Sequence, residues 1–288
     1  MSAQTSGGPP DGPAIPASSR AGRNLPMAIG VGLALGALAI TSLLTYRQSF
    51  ILIIAAAVVA SIWELRGTLA RARGIEMSWI PIAAGSVATA ALAWPYGQAA
   101  QGIGVALTAL ACILWRFGKG SAGYLADVSA SVFVAVYLGL FASFATLMVT
   151  PADGAGRIIT FLIMVVCSDT GGYAAGVLLG RHPMAPKISP KKSWEGFAGS
   201  VTAAMIGGAL SVWLLLDGQW WQGLITGVAV AAVATGGDLA ESLIKRDLGV
   251  KDMGSLLPGH GGVMDRMDSL LPSAVVSWAL LALFVPIG

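Results

Sequence analysis

Hydrophobic positions along the chain fall into long continuous runs that short polar segments separate. Nine runs approach the ~20 residues that a helix needs to cross the hydrocarbon core of a bilayer. They cover approximately residues 26–45, 49–63, 79–94, 99–115, 128–149, 157–179, 197–216, 221–240 and 270–287. The alternation of polar and apolar residues that marks β-barrel strands does not appear, and helices satisfy their own backbone hydrogen bonds in lipid. The pattern predicts an all-α polytopic membrane protein with about nine transmembrane helices.

The composition supports this fold class. Charged residues make up 11% of the 288 residues and hydrophobic residues 56%, whereas ordinary globular domains carry about 25% charged residues. A chain with so little polar surface cannot cover a water-facing exterior. Its two cysteines, Cys112 and Cys167, lie in apolar runs, where small buried side chains are expected and a disulfide framework is not.

The placement of positive charge predicts the orientation. If the amino terminus is cytoplasmic, every Lys and Arg except Arg47 and Arg157 falls in a cytoplasmic segment or at its edge. This distribution follows the positive-inside rule and indicates an N-in/C-out arrangement. We expect a multi-pass protein of a bacterial-type inner (plasma) membrane, with its active site facing the cytoplasm.

The chain divides into three predicted regions. Residues 1–24 are rich in Pro, Gly and Ser and lack apolar periodicity, which is typical of a disordered cytoplasmic tail. Residues 25–150 form the amino-terminal transmembrane helices and carry little recognisable chemistry. Residues 151–288 form the candidate catalytic region, with predicted cytoplasmic loops at 181–196 and 241–269.

A carboxylate lies inside the sixth apolar run. Asp169 is costly at that depth, so it marks either a functional site or a hydrogen bond between helices. Gly172, Gly176 and Gly180 recur every four residues on roughly the same helical face, which favours close approach of a second helix or of a ligand.

The loop at 181–196 concentrates positive charge between prolines. Its cations are Arg181, Lys187, Lys191 and Lys192. The charge alone suits an ordinary topogenic loop. Prolines block a continuous helix, however, and a rigid loop loses less entropy when its cations bind, which favours a phosphate-binding role.

The last predicted cytoplasmic segment, within 236–270, is the most charged part of the chain. Its carboxylates are Asp238, Glu241, Asp247, Asp252, Asp265 and Asp268, and its cations are Lys245, Arg246, Lys251 and Arg266. On a helix, Asp238, Glu241 and Lys245 fall near one face. Carboxylates beside cations suit Mg²⁺, which completes its shell with water and phosphate oxygens. A glycine-rich turn at 258–262 allows close backbone approach to a ligand.

Other catalytic motifs are missing from the sequence. No P-loop, GxSxG or HExxH pattern is present, which disfavours covalent serine catalysis and zinc hydrolysis. We expect no nucleic acid partner.

The charged segment resembles the sequence pattern of the phosphatidate cytidylyltransferase (CDP-diacylglycerol synthase) family. The residues that carry this resemblance are Ser242, Lys245, Arg246, Lys251, Asp252, Pro258, His260, Gly261, Gly262, Asp265, Arg266 and Asp268. Asp169 with Tyr173, and the run 188–196, resemble a second region of the family. The resemblance covers roughly residues 165–275.

The resemblance implies a reaction, a cofactor and partners. CTP would react with phosphatidic acid, among membrane lipids, to give CDP-diacylglycerol and pyrophosphate, by metal-assisted in-line attack of the lipid phosphate on the α-phosphorus. It also implies Mg²⁺, with K⁺ as a companion, and a homodimer. In the family two aspartates carry the metal, and they correspond to Asp238 and Asp265.

From the resemblance and the charge pattern we assign candidate roles. The catalytic candidates are the phosphate-clamping cations Lys192, Lys245, Arg246, Lys251 and Arg266. The substrate-binding candidates are Asp169, Lys187, Ser189, Lys191, Ser242, His260, Gly261 and Gly262. The metal candidates are Asp238, Asp265, Asp268 and Asp252.

Two other functions stay open. One is another CTP-dependent lipid-phosphate enzyme, such as a polyprenol kinase or an archaeal-lipid cytidylyltransferase; a kinase would release CDP rather than pyrophosphate. The other is an ion-coupled transporter that uses Asp169, although transporter sites lie near the midplane and often within internal repeats, and no repeat of this region is visible.

Overall fold

The computed structural model describes residues 25–257 and 261–285, with side chains from Gly30 onward. The predicted tail at 1–24 lies outside the described residues, as does His260. The helices are α1 (Leu25–Thr45), α2 (Ser49–Arg73), α3 (Trp79–Trp115), α4 (Tyr124–Val134), α5 (Phe141–Val149), α6 (Gly154–Leu179), α7 (Trp194–Leu215), α8 (Trp220–Leu248), α9 (Met264–Met267) and α10 (Leu270–Phe284). A π-helical turn (Ala135–Leu140) joins α4 to α5, and a 3₁₀ turn (Phe117–Lys119) follows α3.

The helices confirm a mostly helical, multi-pass membrane protein. Seven helical segments of the described chain are long and apolar enough to cross a bilayer, and a shorter apolar helix covers Gly30–Thr45. Residues from both halves of the chain form one core. Its most deeply buried members include Ile62, Leu138, Met148, Ile158, Met264 and Leu271.

Helix α3 is folded back on itself at Gly97. The backbone there has φ 58° and ψ −141°, outside the helical region, and Pro95 precedes it. The two arms pack tightly, since a Cβ on Gly85 would lie 2.0 Å from the Thr108 hydroxyl and one on Gly104 would lie 2.3 Å from the Thr89 hydroxyl. The arms are therefore antiparallel, and they match the two predicted runs 79–94 and 99–115.

Contacts between connecting segments define two ends of the helix bundle. At one end, Arg73 pairs with Asp247 at 2.6 Å and Lys119 pairs with Glu76 at 2.6 Å. We call this the charged end; it includes the segments 74–78, 116–123 and 180–193. It also includes the described residues 249–257 and 261–263, which we call segment 249–263. At the opposite end, Arg47 donates to the Ala152 carbonyl at 3.1 Å.

A second contact marks the same opposite end. The buried Arg157 guanidinium donates to the Val285 carbonyl at 2.6 Å and pairs with Asp153. Arg47 and Arg157 are the two cations that the sequence pattern predicted to lie outside the cytoplasmic segments.

Two boundaries at the charged end differ from the predicted loops. Helix α8 continues to Leu248 because Gly249, in a left-handed conformation (φ 67°), ends it there, and Lys245 and Arg246 lie in its last turn, where cations favour the helix dipole. Helix α7 begins at Trp194, where the Ser193 hydroxyl caps it by accepting from the Gly196 amide at 3.1 Å. The connecting segments are therefore 180–193 and 249–263.

The proline-spaced loop contains a small β-hairpin. Strands β1 (Pro183–Ala185) and β2 (Ser189–Ser193) pair antiparallel, with Pro183 opposite Ser193. The segment was predicted as a proline-rich loop between helices, and the hairpin adds two short strands to the mostly helical protein. Extended residues beside prolines are already close to strand geometry, and pairing satisfies their backbone groups.

Candidate active site

A polar cavity of about 520 Å³ lies at the charged end. Its walls come from α6, β2, α7, α8 and the start of the last transmembrane segment. Its charged wall residues are Asp169, Lys191, Lys192, Asp238, Glu241, Lys245, Asp265, Arg266 and Asp268. The cavity therefore brings together charges from both regions that the sequence singled out.

Helix α8 supplies one charged face of the cavity. Asp238, Glu241 and Lys245 line it, as the helical spacing predicted, and Ser242 lines it as well. The Glu241 carboxylate accepts a hydrogen bond from the Lys245 ammonium one turn later. This pair fixes the direction of Lys245 toward the cavity.

The hairpin contributes a cation that is held by α8. The Lys192 ammonium donates to the Asp238 carboxylate at 2.9 Å and to the Thr235 carbonyl at 3.4 Å. The Asp238 side chain stays 31% exposed, and it faces the cavity. A cation and an accessible carboxylate thus meet at one point of the wall.

The Asp265 carboxylate accepts more hydrogen bonds than the Asp238 carboxylate and is more deeply buried. Its two oxygens accept from the Met253 amide at 3.2 and 3.1 Å, from the Gly262 amide at 2.9 Å and from Lys245 at 3.1 Å. Its side chain is only 4% exposed. A carboxylate offers about four acceptor positions, and three donors already occupy its two oxygens, with the Met253 amide shared between them. Asp265 therefore anchors segment 249–263 and orients Lys245.

One carboxylate oxygen in the cavity has no hydrogen-bond partner among the residues that the structure describes. Oε1 of Glu241 is buried and unsatisfied, its side chain is 1% exposed, and its neighbouring carboxylate is Asp268. Two facing carboxylates and an orphaned oxygen form a donor set that suits a hard cation. Within the described residues, no three His, Cys, Asp or Glu side chains converge into a complete metal cage. A cation here would need water or phosphate oxygens to complete its shell.

The glycine stripe of α6 packs against α7. A Cβ on Gly172 would lie 2.2 Å from the Ser200 hydroxyl, and one on Gly171 would lie 2.6 Å from the Gly199 carbonyl. The stripe therefore serves a helix contact, and because Gly172 and Gly176 also line the cavity, close approach of a ligand stays open. Asp169 sits beside this contact, with its side chain exposed on the cavity wall.

Several predicted site residues do not line the cavity. They are Lys187, Ser189, Arg246, Lys251, Asp252, Gly261 and Gly262. Arg246 donates to the Ile188 carbonyl at 3.2 Å, so it connects α8 to the hairpin. Lys187 is exposed near the hairpin turn and Lys251 on segment 249–263, where their long side chains meet water.

Sequence reasoning missed contributors to this region. Glu241 was recognised as part of the charged segment but received no role. Glu64 of α2 received no attention, yet it is a buried carboxylate that accepts from amides of segment 249–263. A charged residue near the end of an apolar run was the only signal for Glu64, and such residues are common at membrane interfaces.

The fold and the cavity define a multi-pass helical membrane protein with a phosphate-compatible site at one end of its bundle. A family model described as "Cytidylyltransferase family" matches residues 27–284. The chain belongs to this family.

Curated relatives extend the comparison. The chain is 44% identical over 280 residues to the phosphatidate cytidylyltransferase of Mycobacterium leprae, covering 92% of this chain and 89% of that protein. It is 43% identical over 279 residues to the phosphatidate cytidylyltransferase of Mycobacterium tuberculosis strain H37Rv, covering 92% and 85%. The similarity to the Helicobacter pylori protein of the same name is 44% over 128 residues, which is 44% of this chain and 48% of that protein.

Proposed function

We propose that this protein is a phosphatidate cytidylyltransferase, a nucleotidyltransferase that converts CTP and phosphatidic acid into CDP-diacylglycerol and pyrophosphate. The observation that carries the proposal is the cavity that gathers Lys191, Lys192, Lys245 and Arg266 with the carboxylates of α8 and the last transmembrane segment. The names of the relatives that match nearly the whole chain support the same activity.

The location of the cavity suits a lipid substrate. It lies at the charged end of membrane-spanning helices, where a lipid phosphate sits at head-group level while its acyl chains stay among the helices. CTP would reach the same cavity from water. One site can therefore bind a water-soluble and a lipid reactant.

The reaction needs no protein nucleophile, because the lipid phosphate monoester is one. An oxygen of that phosphate forms a bond to the α-phosphorus of CTP, and the bond from the α-phosphorus to the oxygen bridging to the β-phosphate breaks. The bonding electrons leave with pyrophosphate. The work of the protein is to align the two phosphates and to neutralise their charge.

The cations of the cavity supply that neutralisation. Asp238 holds Lys192, while Glu241 and Asp265 hold Lys245, so both ammonium groups are oriented before substrate binds. Preorganised charge costs little reorganisation as the transition state forms. Lys191 and Arg266, also on the cavity wall, complete the clamp.

We propose Mg²⁺ as the cofactor, with K⁺ as a companion. Two of the three carboxylates Asp238, Glu241 and Asp268 would hold it, with water and phosphate oxygens completing its shell, because Asp238 is accessible and Glu241 carries the orphaned oxygen. When bound, the ion would polarise phosphate oxygens and stabilise the negative charge that develops on the leaving pyrophosphate. Asp265 stays a metal candidate, although its present contacts favour a positioning role; Asp252 lies on segment 249–263, off the cavity wall.

We also propose nine membrane crossings with the amino terminus and the charged end in the cytoplasm. The seven spanning segments become eight when the two arms of α3 are counted separately, and the apolar α1 brings the number to nine. The concentration of cations at the charged end supports the orientation. A homodimer is proposed on the family resemblance, and light scattering of the detergent-solubilised protein would measure it.

A single assay tests the proposed function. Detergent-solubilised protein is incubated with Mg²⁺, phosphatidic acid and CTP labelled in its nucleoside and, separately, in its γ-phosphate. We expect CDP-diacylglycerol in the lipid phase and pyrophosphate in the aqueous phase, in equal amounts. Release of CDP with a phosphorylated lipid would indicate a kinase and overturn the proposal, and so would a lack of any CTP consumption.

A further inference from the structure

A buried carboxylate of the amino-terminal half contacts the segment that borders the cavity. Glu64 of α2 is 6% exposed. Its Oε1 accepts from the Leu256 amide at 3.1 Å and its Oε2 accepts from the Met264 amide at 3.0 Å. Glu64 thus binds segment 249–263 near its middle and the helix that follows at its first residue.

A second side chain of α2 holds the same segment one turn later. The Thr68 hydroxyl donates to the Met253 carbonyl at 2.8 Å. Residues four apart on a helix share a face, so Glu64 and Thr68 act together. We call these two residues the α2 clamp.

Two glycines of the segment pack directly against the Glu64 carboxylate of the α2 clamp. A Cβ on Gly254 would lie 2.1 Å from the carboxyl carbon of Glu64, and a Cβ on Gly262 would lie 2.6 Å from its Oε2. Any larger residue at either position would displace the carboxylate. The glycines therefore let the backbone come close enough to donate its amides.

The segment is held from its other side by the cavity. The Met253 and Gly262 amides donate to Asp265, and Asp265 in turn accepts from Lys245. Met253 is thus fixed through its carbonyl by the clamp and through its amide by Asp265. Two buried carboxylates from distant helices share one short stretch of backbone.

We propose that Glu64 is a positioning residue for the reaction. It fixes segment 249–263, the segment supplies the amides that fix Asp265, and Asp265 directs Lys245 into the cavity. Glu64 does not line the cavity and touches no reacting group there. The catalytic consequence rests on the proposed function, whereas the effect on the segment does not.

The sharpest variant is Glu64→Gln, because it keeps the volume of the side chain. Its amide nitrogen is a donor, so it would face either the Leu256 or the Met264 amide, donor against donor. One clamp contact is lost while packing is nearly unchanged. Glu76→Gln is the matched control, since Glu76 is an exposed acid at the same end of the bundle.

Two readouts separate positioning from general stability. The first is kcat for CDP-diacylglycerol formation, normalised to folded protein. The second is limited trypsin cleavage after the exposed Lys251, inside the clamped segment, relative to cleavage after the exposed Lys187, on the separate hairpin. Mass spectrometry quantifies both cuts.

We expect Glu64→Gln to lower kcat about tenfold or more, as small misplacements of catalytic groups do, and to raise the Lys251-to-Lys187 cleavage ratio at least about threefold. Glu76→Gln should change neither. Should Glu64→Gln not fold, Thr68→Val tests the same clamp, with the same direction of both effects. It removes the hydroxyl that donates to the Met253 carbonyl, together with the longer contacts of that hydroxyl within α2.

Opposite results would overturn the proposal. If cleavage at both lysines rises equally, Glu64 stabilises the whole bundle and is not a positioning residue. If kcat and the cleavage ratio stay at wild-type values, the clamp has no effect on the segment. If the wild-type protein forms no CDP-diacylglycerol, the proposed function has failed, and the cleavage ratio alone still decides whether Glu64 fixes the segment.

Discussion

Asp238 and Asp265 differ in how much of each carboxylate is available to a ligand. Asp238 keeps about a third of its side chain exposed to the cavity beside Lys192, whereas Asp265 is enclosed by backbone amides and Lys245. The two aspartates that the family resemblance pairs as metal carriers are therefore not equivalent. Their substitution should have different physical consequences.

Asp238→Asn removes an accessible charge without changing the shape of the side chain. We expect CDP-diacylglycerol formation to fall about 100-fold or more, because the proposed cation and Lys192 both lose their partner. The thermal midpoint in detergent should change little. Asp247→Asn is the control, since Asp247 is exposed and pairs with Arg73 away from the cavity. Turnover near the wild-type rate in Asp238→Asn would exclude a metal role for this residue.

Two lysines of the same hairpin offer a direct comparison. Lys192 lines the cavity and is half-buried, whereas Lys187 is exposed and does not line it. We expect Lys192→Met to lower kcat/KM for CTP about 100-fold, the usual scale for loss of one preorganised charge, and Lys187→Met to change it less than about twofold. Steady-state kinetics at saturating phosphatidic acid measures both. Equal losses would mean that the hairpin moves Lys187 into the site when substrate binds.

The sequence indicated part of this arrangement at the level of single residues. The spacing of Asp238, Glu241 and Lys245 placed them on one helical face, and all three line the cavity. Spacing could not separate Lys187 from Lys192, because the hairpin register that turns one inward is set by strand pairing. The density of charge along the chain does not distinguish Lys187 from Lys192.

At the scale of elements, the contact between α6 and α7 forms one wall of the cavity. Its closeness depends on small residues. Gly171 and Gly199 meet backbone to backbone, since a Cβ on Gly199 would lie 2.6 Å from the Gly171 carbonyl oxygen and 2.3 Å from the Ala175 side chain. Gly176, on the same stripe, would meet its nearest atom at an ordinary 3.7 Å.

This difference predicts opposite outcomes for two alanine substitutions. Gly199→Ala should force the helices apart and lower the free energy of unfolding by about 1–3 kcal/mol, the usual cost of overpacking. Gly176→Ala should be close to neutral. Thermal unfolding in one detergent, followed by circular dichroism, compares them. A neutral Gly199→Ala would show that α6 and α7 can separate without cost.

The elements that the sequence failed to predict share a cause. The α2 clamp joins residues almost two hundred positions apart, and hydropathy describes each run in isolation. The hairpin at 183–193 depends on pairing between two short strands that carry no apolar alternation. In contrast, long apolar runs predicted nearly every helix, because burial in lipid is decided locally.

At the scale of the whole molecule, the two ends of the bundle differ in charge. Apart from Arg47 and Arg157, the cations of the described chain lie at the charged end. Along the chain, successive membrane-spanning helices are connected alternately at the charged end and at the opposite end, as expected for helices that cross a bilayer in turn. The proposed orientation therefore has a direct test.

Cysteine labelling measures which end faces which compartment. Cys112 and Cys167 are first replaced by alanine, and single cysteines are introduced at the exposed positions Ser121, at the charged end, and Gln48, at the opposite end. In intact spheroplasts, a membrane-impermeant maleimide should label Gln48→Cys and leave Ser121→Cys unlabelled until the membrane is permeabilised. The reverse pattern would place the charged end outside the cytoplasm and contradict the orientation.

The hydrogen bond between Glu64 and the Met264 amide joins positions 200 residues apart. During synthesis, α2 enters the bilayer long before Met264 leaves the ribosome. The candidate site therefore cannot be completed on a nascent chain that has not yet reached Met264, however early its first helices are inserted.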